Sequence, residues 1–167
     1  GDVYKRQMLY YTPQIWCSDN TDAVDRLRIQ YGTSFAYPVS AMGAHVSAVP
    51  NAGTLRTTPL ETRGVVAMAG TFGYEMDLSK TTPEERELMA RQVRFFKEHY
   101  DLIQRGDYYR LTDPFENGPF TAWEHVSPDR REALASVVTG PVCGNPPFRT
   151  LYLRGLDPAL RYRVEGG

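Results

Sequence analysis

Three strand-like segments are each followed by a helical segment, and this alternation is the strongest constraint on the fold. The strand-like segments are Gln14–Cys17, Ala41–Ser47 and Thr71–Met76. Strands that alternate with helices favour a parallel arrangement with the helices packed over the sheet. We therefore expect the three strands to lie parallel and adjacent. Asp19, which follows the first of them, should then lie at the carboxyl edge.

The predicted helices have recognisable start and stop signals. The first runs from about Asp22 to Tyr31, with Asn20 or Thr21 as its N-cap and Gly32 as its stop. The second begins at Pro59 and ends at Gly70, and Thr58 with Glu61 has the pattern of a capping box.

A second capping box, Thr82 with Glu85, is predicted to open the third helix. This helix should end near Gly106. It carries one apolar face, formed by Met89, Val93, Phe96, Tyr100 and Ile103.

The pattern changes after the turn-rich stretch from Thr112 to Pro119. Four short apolar segments follow, at Thr121–Val126, Ala133–Val138, Phe148–Leu153 and Leu160–Glu165. Short strands separated by Pro and Gly predict an antiparallel sheet or half of a sandwich. We therefore expect an α/β domain over residues 8–113 and a β domain, which need not be complete, over residues 114–167.

Composition excludes two classes of partner. The 167 residues are 41% hydrophobic and 23% charged, with a net charge of −1. The absence of a basic excess argues against nucleic acid, and no apolar run approaches the roughly 18 residues that a membrane helix needs. Cys17 and Cys143 have no metal-ligand spacing and give no reason to expect a disulfide, which favours a reducing, cytoplasmic location.

Residues 1–7 are predicted not to belong to the natural protein. The stretch Asp2–Gln7 has the sequence that results from translating a common transposase adapter used in sequencing libraries. Such a segment is left out of fold reasoning, and the true N-terminus is then expected to be missing.

The junction after the first strand, Trp16-Cys17-Ser18-Asp19, holds the candidate site residues. Asp19 is either a helix cap or a catalytic carboxylate, because catalytic side chains of βα barrels collect where strands end. Trp16 is either a packing aromatic or a wall of a binding site. Cys17 either faces the site or is an inert buried thiol.

Other polar residues near the strand ends have mainly structural interpretations. Asp22 and Asp25 suit the first turn of a helix. His45 is more readily a structural histidine than a substrate contact. Arg26 and Arg28 are expected to be solvated, and the residues that end the third strand to act as caps or mouth contacts: Tyr74, Glu75 and Asp77.

Six segments, in the same order, resemble the bacterial α-galactosidases of glycoside hydrolase family 36. They are Met8–Gln14, Trp16–Gly32, Met42–Asn51, Thr58–Asp77, Phe96–Leu111 and Asn145–Arg161. The resemblance covers almost everything after residue 7. It implies a (β/α)8 barrel flanked by β-sandwich domains, of which this chain holds the last three βα units and a C-terminal antiparallel sheet.

The resemblance also implies the chemistry. The aspartate of the Ser-Asp-Asn-Thr-Asp segment, here Asp19, is the general acid/base of a retaining mechanism. The nucleophile and most galactose-binding residues are expected upstream of Met8, so the chain alone should be inactive. The parent protein should release terminal α-galactose from melibiose or raffinose-type sugars without a metal or an organic cofactor, and a homo-oligomer is one expectation for it.

Two alternatives stay open at the level of sequence. A related α-N-acetylgalactosaminidase or α-galactosyl transferase would differ in residues outside this chain. A non-catalytic sugar-binding module would account for the C-terminal sheet but not for the βα units that carry Asp19.

Overall fold

The computed structural model describes residues 5–118, 120–140, 144–146 and 148–166. Within these ranges the helices are α1 (Lys5–Met8), α2 (Ala23–Thr33), α3 (Leu60–Ala67), α4 (Pro83–Glu98) and α5 (Tyr100–Arg105). The strands are β1 (Val46–Ser47), β2 (Tyr74–Glu75), β3 (Asp107–Arg110), β4 (Phe120–Val126) and β5 (Ala133–Thr139). Cys143 and residues 1–4 of the predicted adapter segment lie outside the described residues.

The three N-terminal strand segments are parallel and adjacent, which confirms the expectation from their alternation with helices. Val46 pairs with Tyr74 and Ser47 with Glu75, both in parallel register. Ile15 forms a parallel bridge with Met42. The ladders are much shorter than predicted, however, because Val39–Ala41 forms a 3-10 turn and Gln14–Cys17 contributes only the bridge at Ile15.

Glycine allows the close approach of these segments. A Cβ on Gly43 would lie 2.8 Å from the Ile15 carbonyl oxygen, and one on Gly70 would lie 2.6 Å from that of Met42. Both distances are shorter than any side chain tolerates. The backbone bonds from Gly43 N to Ile15 O (2.9 Å) and from Thr71 N to Met42 O (3.0 Å) depend on that approach. Closure into a complete barrel stays a prediction.

Two of the three helix starts differ from the sequence prediction. The N-cap of α2 is Asp22, not Asn20 or Thr21, and the helix passes through Gly32 to Thr33. The N-cap of α3 is Pro59, and the predicted capping box of Thr58 and Glu61 does not form. Thr58 is buried, its carbonyl oxygen accepts a hydrogen bond from Arg63 Nε at 2.9 Å, and Arg63 Nη1 donates to Ser47 O at 2.6 Å. The helix ends at Ala67, before Gly70.

The capping box of α4 is confirmed. Thr82 Oγ1 accepts from Glu85 N at 3.2 Å, and Glu85 Oε2 accepts from Thr82 N at 2.9 Å. The predicted single helix is divided at His99, whose φ of −98° and ψ of 14° end α4. Its apolar face is nevertheless continuous across the break, since Met89, Phe96 and Ile103 are all buried.

The C-terminal sheet is antiparallel, in the order β3-β4-β5. β4 and β5 match their predicted positions. β3 was not predicted, and it brings Tyr108 opposite His125, so the sheet begins at Asp107, upstream of residue 114. The division of the chain into domains stays a prediction.

The strands predicted at Phe148–Leu153 and Leu160–Glu165 are wrong, because the described residues of both segments form neither helix nor strand. Phe148 is 109% exposed and Val164 is 89% exposed, so these apolar residues do not build a buried face. The segment is held by polar contacts instead: Arg154 N donates to Glu124 Oε1, and Tyr162 Oη accepts from Asp157 N at 2.9 Å.

The parallel and antiparallel parts share a core. One cluster joins α2 and α3 to the sheet through Ala23, Leu27, Val66, Ala69, Trp123 and Val138. Another joins Met68 and Phe96 to Ile103, with Leu134 packed against it. The sheet therefore braces the two helices that follow the first two parallel segments.

His125 is a buried polar residue at this interface. It is 1% exposed, its ring lies 5.2 Å from that of Tyr108, and within the described residues neither ring nitrogen has a hydrogen-bond partner. Burial lowers the pKa of His125 to about 4 from its ordinary value of 6.5. The imidazole is therefore neutral in the folded protein at neutral pH.

This burial predicts a pH-dependent stability. Between about pH 6.5 and 4 the unfolded chain binds a proton at His125 that the folded chain does not, so the free energy of unfolding should fall as the pH falls through that window. The full contribution is on the order of 3 kcal/mol. His125→Phe should flatten this part of a urea-unfolding series, while above pH 7 the two proteins should differ by a constant. An unchanged slope below pH 6.5 would contradict the burial argument.

The two capping patterns predict different costs of substitution. Thr82→Ala should lower the free energy of unfolding by about 1 kcal/mol, because it removes a formed cap. Glu61→Ala, at the pattern that forms no box, should cost less than about 0.5 kcal/mol, as exposed substitutions usually do. Urea unfolding of both variants at pH 7 makes the comparison, and equal losses would show that the boxes do not differ.

Candidate active site

The loop between the Ile15 bridge and α2 builds the site. The loop and the first turn of α2 together contain three carboxylates, of Asp19 and Asp22 in the loop and of Asp25 in the helix. The backbone bends at Asp19, and α2 starts at Ala23 with Asp22 as its cap. The three aspartates are therefore close in sequence, but their side chains have different environments.

Asp22 has a structural environment. Its side chain is almost wholly buried, and Oδ1 accepts from Val24 N at 2.9 Å and from Asp25 N at 3.1 Å. Oδ2 accepts from Thr54 Oγ1 at 2.7 Å, and Arg56 Nη1 contacts Oδ1. Burial alone would raise the pKa of Asp22, but these hydrogen bonds and the Arg56 charge outweigh it and lower the pKa.

Asp25 belongs to the same polar network. Its Oδ2 accepts from Asn20 Nδ2 at 2.8 Å, and its Oδ1 lies 3.2 Å from Arg56 Nη1. The Asn20 amide oxygen accepts from Asp22 N at 3.0 Å, which closes the loop onto the helix start. The interpretation of Asp22 and Asp25 as residues of the helix start thus agrees with their positions.

Arg26 is buried, and the expectation of a solvated side chain was wrong. It is 3% exposed, and burial lowers the pKa of its guanidinium. Nε donates to Gln30 Oε1 at 3.0 Å, Nη1 donates to Ser18 O at 3.3 Å, and Nη2 donates to Gly43 O. Arg28, in contrast, is exposed as expected and lies over the Phe115 ring at 5.6 Å.

Asp19 is the exposed carboxylate of the loop. Its Oδ1 accepts a hydrogen bond from Trp16 Nε1 at 2.6 Å. The Trp16 ring is 51% exposed and stacks on His45, with centroids 4.7 Å apart and planes inclined by 22°. His45 Nε2 in turn lies 2.6 Å from Glu75 Oε2.

Trp16 and Asp19 follow the Ile15 bridge and Glu75 ends β2, so these three lie at the carboxyl side of the parallel segments. His45 directly precedes β1 and meets them through its contacts with Trp16 and Glu75. Burial lowers the pKa of His45, and the positive charge of Arg26 lowers it further. The Glu75 carboxylate raises this pKa, but the net effect is a lowering. The imidazole is therefore mostly neutral near pH 7.

An open cleft of about 450 Å³ lies at this edge. The residues that line it are Trp16, Asp19, Thr21, Ser47, Ala48, Pro50, Asn51, Ala52 and Glu75. Asn51 is buried beside the cleft: its Nδ2 donates to Thr21 Oγ1 at 3.1 Å, and its Oδ1 accepts from Gly53 N at 2.9 Å. The cleft thus combines two carboxylates, an aromatic face and fixed polar groups.

The remaining predicted residues lie elsewhere. Cys17 Sγ lies 3.2 Å from Thr33 Oγ1, against the end of α2, and Cys17 is not among the residues that line the cleft. Tyr74 Oη donates to Gln92 Oε1 at 2.7 Å, and Asp77 caps the 3-10 turn Leu78–Lys80. Among the end residues of the third strand, Glu75 is the one at the cleft.

Sequence reasoning missed the residues that support the cleft from other segments. Asn51, Thr54 and Arg56 come from the loop before α3 and contact the start of α2. Nothing in the local sequence of this loop indicates that its side chains reach the aspartates. Among the described residues, no helix has the length and apolar composition needed to cross a membrane.

A cleft at the carboxyl edge of parallel strands suits proton transfer to a bound ligand. Two exposed carboxylates line it, those of Asp19 and Glu75. The flanking aromatic face suits the apolar side of a sugar ring. The charge of Arg56 is matched by Asp22 and Asp25, so Asp19 is left without a contact to it in the described chain. Among the three aspartates, Asp19 is therefore the chemically available one, whereas Glu75 lies against His45.

Comparison with known proteins identifies relatives along the whole chain. Alpha-galactosidase AgaA of Geobacillus stearothermophilus is 55% identical over 166 residues, which are 99% of this chain and 23% of the relative. The bifunctional alpha-galactosidase/sucrose kinase AgaSK of Mediterraneibacter gnavus is 52% identical over 99% of this chain and 18% of its own length. The chain thus spans about a quarter or less of these relatives.

Solved structures of these relatives superpose closely on this chain. The structure of an AgaA variant with 1-deoxygalactonojirimycin superposes with a TM-score of 0.88 at 55% identity, over 91% of this chain and 21% of that one. Another AgaA variant, solved with raffinose, gives a TM-score of 0.87 over 90% of this chain and 21% of that one.

Two family models match consecutive parts of the chain. Residues 120–167 match the glycosyl hydrolase family 36 C-terminal domain. Residues 1–106 match Melibiase, a range that includes the first seven residues, whose separate origin stays a prediction. The chain therefore belongs to the melibiase family of glycosyl hydrolases.

Proposed function

We propose that the chain is the C-terminal portion of a retaining α-galactosidase in which Asp19 is the general acid/base. The observation that carries the proposal is that the three aspartate carboxylates have different environments. Asp22 is occupied as the α2 cap, and Asp25 contacts Asn20 and Arg56. Asp19 is exposed and lines the cleft at the strand ends.

A retaining glycosidase needs two carboxyl groups about 5–5.5 Å apart. One attacks the sugar carbon while the other donates a proton to the leaving oxygen; the second then takes a proton from the water that releases the sugar. We assign the proton-transfer role to Asp19. The nucleophile is expected from a barrel strand outside this chain.

The proposed substrates are terminal α-galactosides of the raffinose type. Solved structures of AgaA variants hold raffinose and stachyose, which supports this class. The exposed indole of Trp16 beside Asp19 offers a face on which a sugar ring can pack. Cys17 is left out of the proposed site, because its sulfur contacts Thr33.

The 167-residue chain alone should not hydrolyse a nitrophenyl α-galactoside. Without the nucleophile the covalent route is lost, so the rate should equal that of buffer. The measurement is release of nitrophenolate by the purified chain. Turnover that is abolished by Asp19→Ala would mean that a second carboxylate of this chain, with Glu75 first in line, completes the site.

In the full-length protein, Asp19→Ala should impair substrates with poor leaving groups most. A sugar alkoxide needs a proton as it departs, whereas nitrophenolate does not. General acid catalysis contributes typically 10²–10⁴-fold, so kcat/KM for raffinose should fall by about that factor and more than for the nitrophenyl galactoside. The glycosyl-enzyme should accumulate, and azide should restore turnover with an α-galactosyl azide product.

The control is Asp77→Ala, which removes an exposed carboxylate that caps a 3-10 turn away from the cleft. It should leave the ratio of the two rates unchanged. Equal losses on both substrates with Asp19→Ala, together with no azide rescue, would demote Asp19 to a structural residue. The acid/base would then have to be sought elsewhere, because Asp22 is buried and committed to the helix cap.

A further inference from the structure

The exposed carboxylate of Asp19 is held by a chain of contacts that comes from three segments. Trp16 Nε1 donates to Asp19 Oδ1 at 2.6 Å. The indole stacks on His45 at 4.7 Å, and His45 Nε2 lies 2.6 Å from Glu75 Oε2. The segments are the loop before α2 and the ends of the second and third parallel segments.

We propose that Trp16 is a positioning residue for Asp19, and that His45 and Glu75 fix the plane of its indole. The inference rests on the proposed role of Asp19 as the acid/base. It assigns to the tryptophan a function beyond packing or sugar stacking, namely to set which carboxylate oxygen carries the transferable proton.

The chemistry of the indole supports this assignment. An indole N–H only donates, so the oxygen that it contacts must act as an acceptor. Oδ1 is therefore kept as an acceptor in both protonation states of Asp19. Within the described part of the chain Oδ2 has no hydrogen-bond partner, and it is the oxygen left to carry the proton. Because an indole does not titrate in this range, it cannot compete for that proton.

Positioning is needed because Asp19 has little else to hold it. It lies on a bend, is exposed, and is not the cap of α2. An unrestrained side chain would sample several rotamers, and proton transfer requires a defined geometry. The contact with Trp16 restricts the carboxylate at the cleft.

Trp16 itself is half exposed, so burial alone does not fix its ring. The stack on His45 supplies one flat surface, and the His45 side chain is only 12% exposed. The Glu75 carboxylate lies 2.6 Å from His45 Nε2 and borders the imidazole from the neighbouring strand. These contacts therefore link the orientation of Asp19 to the register of the parallel segments.

The test uses the full-length protein with Trp16→Phe. Phenylalanine keeps an aromatic face toward the sugar and toward His45 but has no N–H donor. If Trp16 positions Asp19, kcat/KM for raffinose should fall by about 10-fold more than that for a nitrophenyl α-galactoside, which is the effect expected for a hydrogen bond to a charged group. The loss should lie in kcat. An equal loss on both substrates, or a loss confined to KM, would overturn the proposal. Trp16 would then only pack against the bound sugar.

A double-mutant cycle separates this proposal from the role of Asp19. Asp19→Asn alone should show the selective loss on raffinose, and adding Trp16→Phe should then change the ratio of the two rates no further. If Asp19→Asn shows no selectivity, the proposed function fails. If Asp19→Asn is selective but Trp16→Phe is not, or if the two effects multiply, only the positioning role fails.

His45→Ala provides a second variant that leaves the indole N–H in place. It should produce the same selective loss on raffinose, smaller than that of Trp16→Phe, because the ring loses its support but not its donor. Circular dichroism and thermal unfolding of both variants confirm that they are folded. An unchanged kcat on raffinose in the His45→Ala protein would show that His45 and Glu75 do not fix the plane of the indole.

Discussion

The buried guanidinium of Arg26 joins the segments on which the site depends. From α2 it reaches the carbonyl oxygen of Ser18, next to Asp19, and that of Gly43 in the second parallel segment. Gln30 extends the connection, since it accepts from Arg26 Nε and donates to Val66 O in α3 at 2.9 Å. Burial of a charge is unfavourable unless its hydrogen bonds are satisfied, and these oxygens satisfy them. The position of the Asp19 loop is thereby fixed to the helix, the strand and the next helix together.

The sequence was sufficient where the determining interactions are local. The Thr82–Glu85 box forms as predicted, since both of its hydrogen bonds lie within one helical turn. The alternation of strands and helices likewise indicated parallel neighbours, because this order has few alternative topologies. The placement of Asp19 at the strand edge followed from the same alternation.

Long-range contacts decided the rest. Thr58 and Glu61 have the same local pattern as Thr82 and Glu85, yet no box forms where Thr58 is buried and Arg63 of α3 donates to Ser47 O in β1. β3 was missed because Asp-Tyr-Tyr-Arg has little strand signal of its own and is ordered by pairing with β4. Arg26 has the appearance of a solvated helical residue, and only the approach of Gly43 and Ser18 explains its burial. In each case the partner lies in another segment or element, where a local pattern carries no information.

The arrangement of charges explains why three aspartates lie so close together at the start of α2. Two of them, with Arg56, form a polar network that holds the start of α2 and does not line the cleft. A positive helix end stabilises nearby carboxylates, and Asp22 takes that position directly. Asp19, displaced to the bend and contacted by a neutral indole donor, is left outside this network. The rigid part of the loop thus depends on satisfied charges, while the one carboxylate kept apart from them can gain and lose a proton without disturbing the helix that supports it.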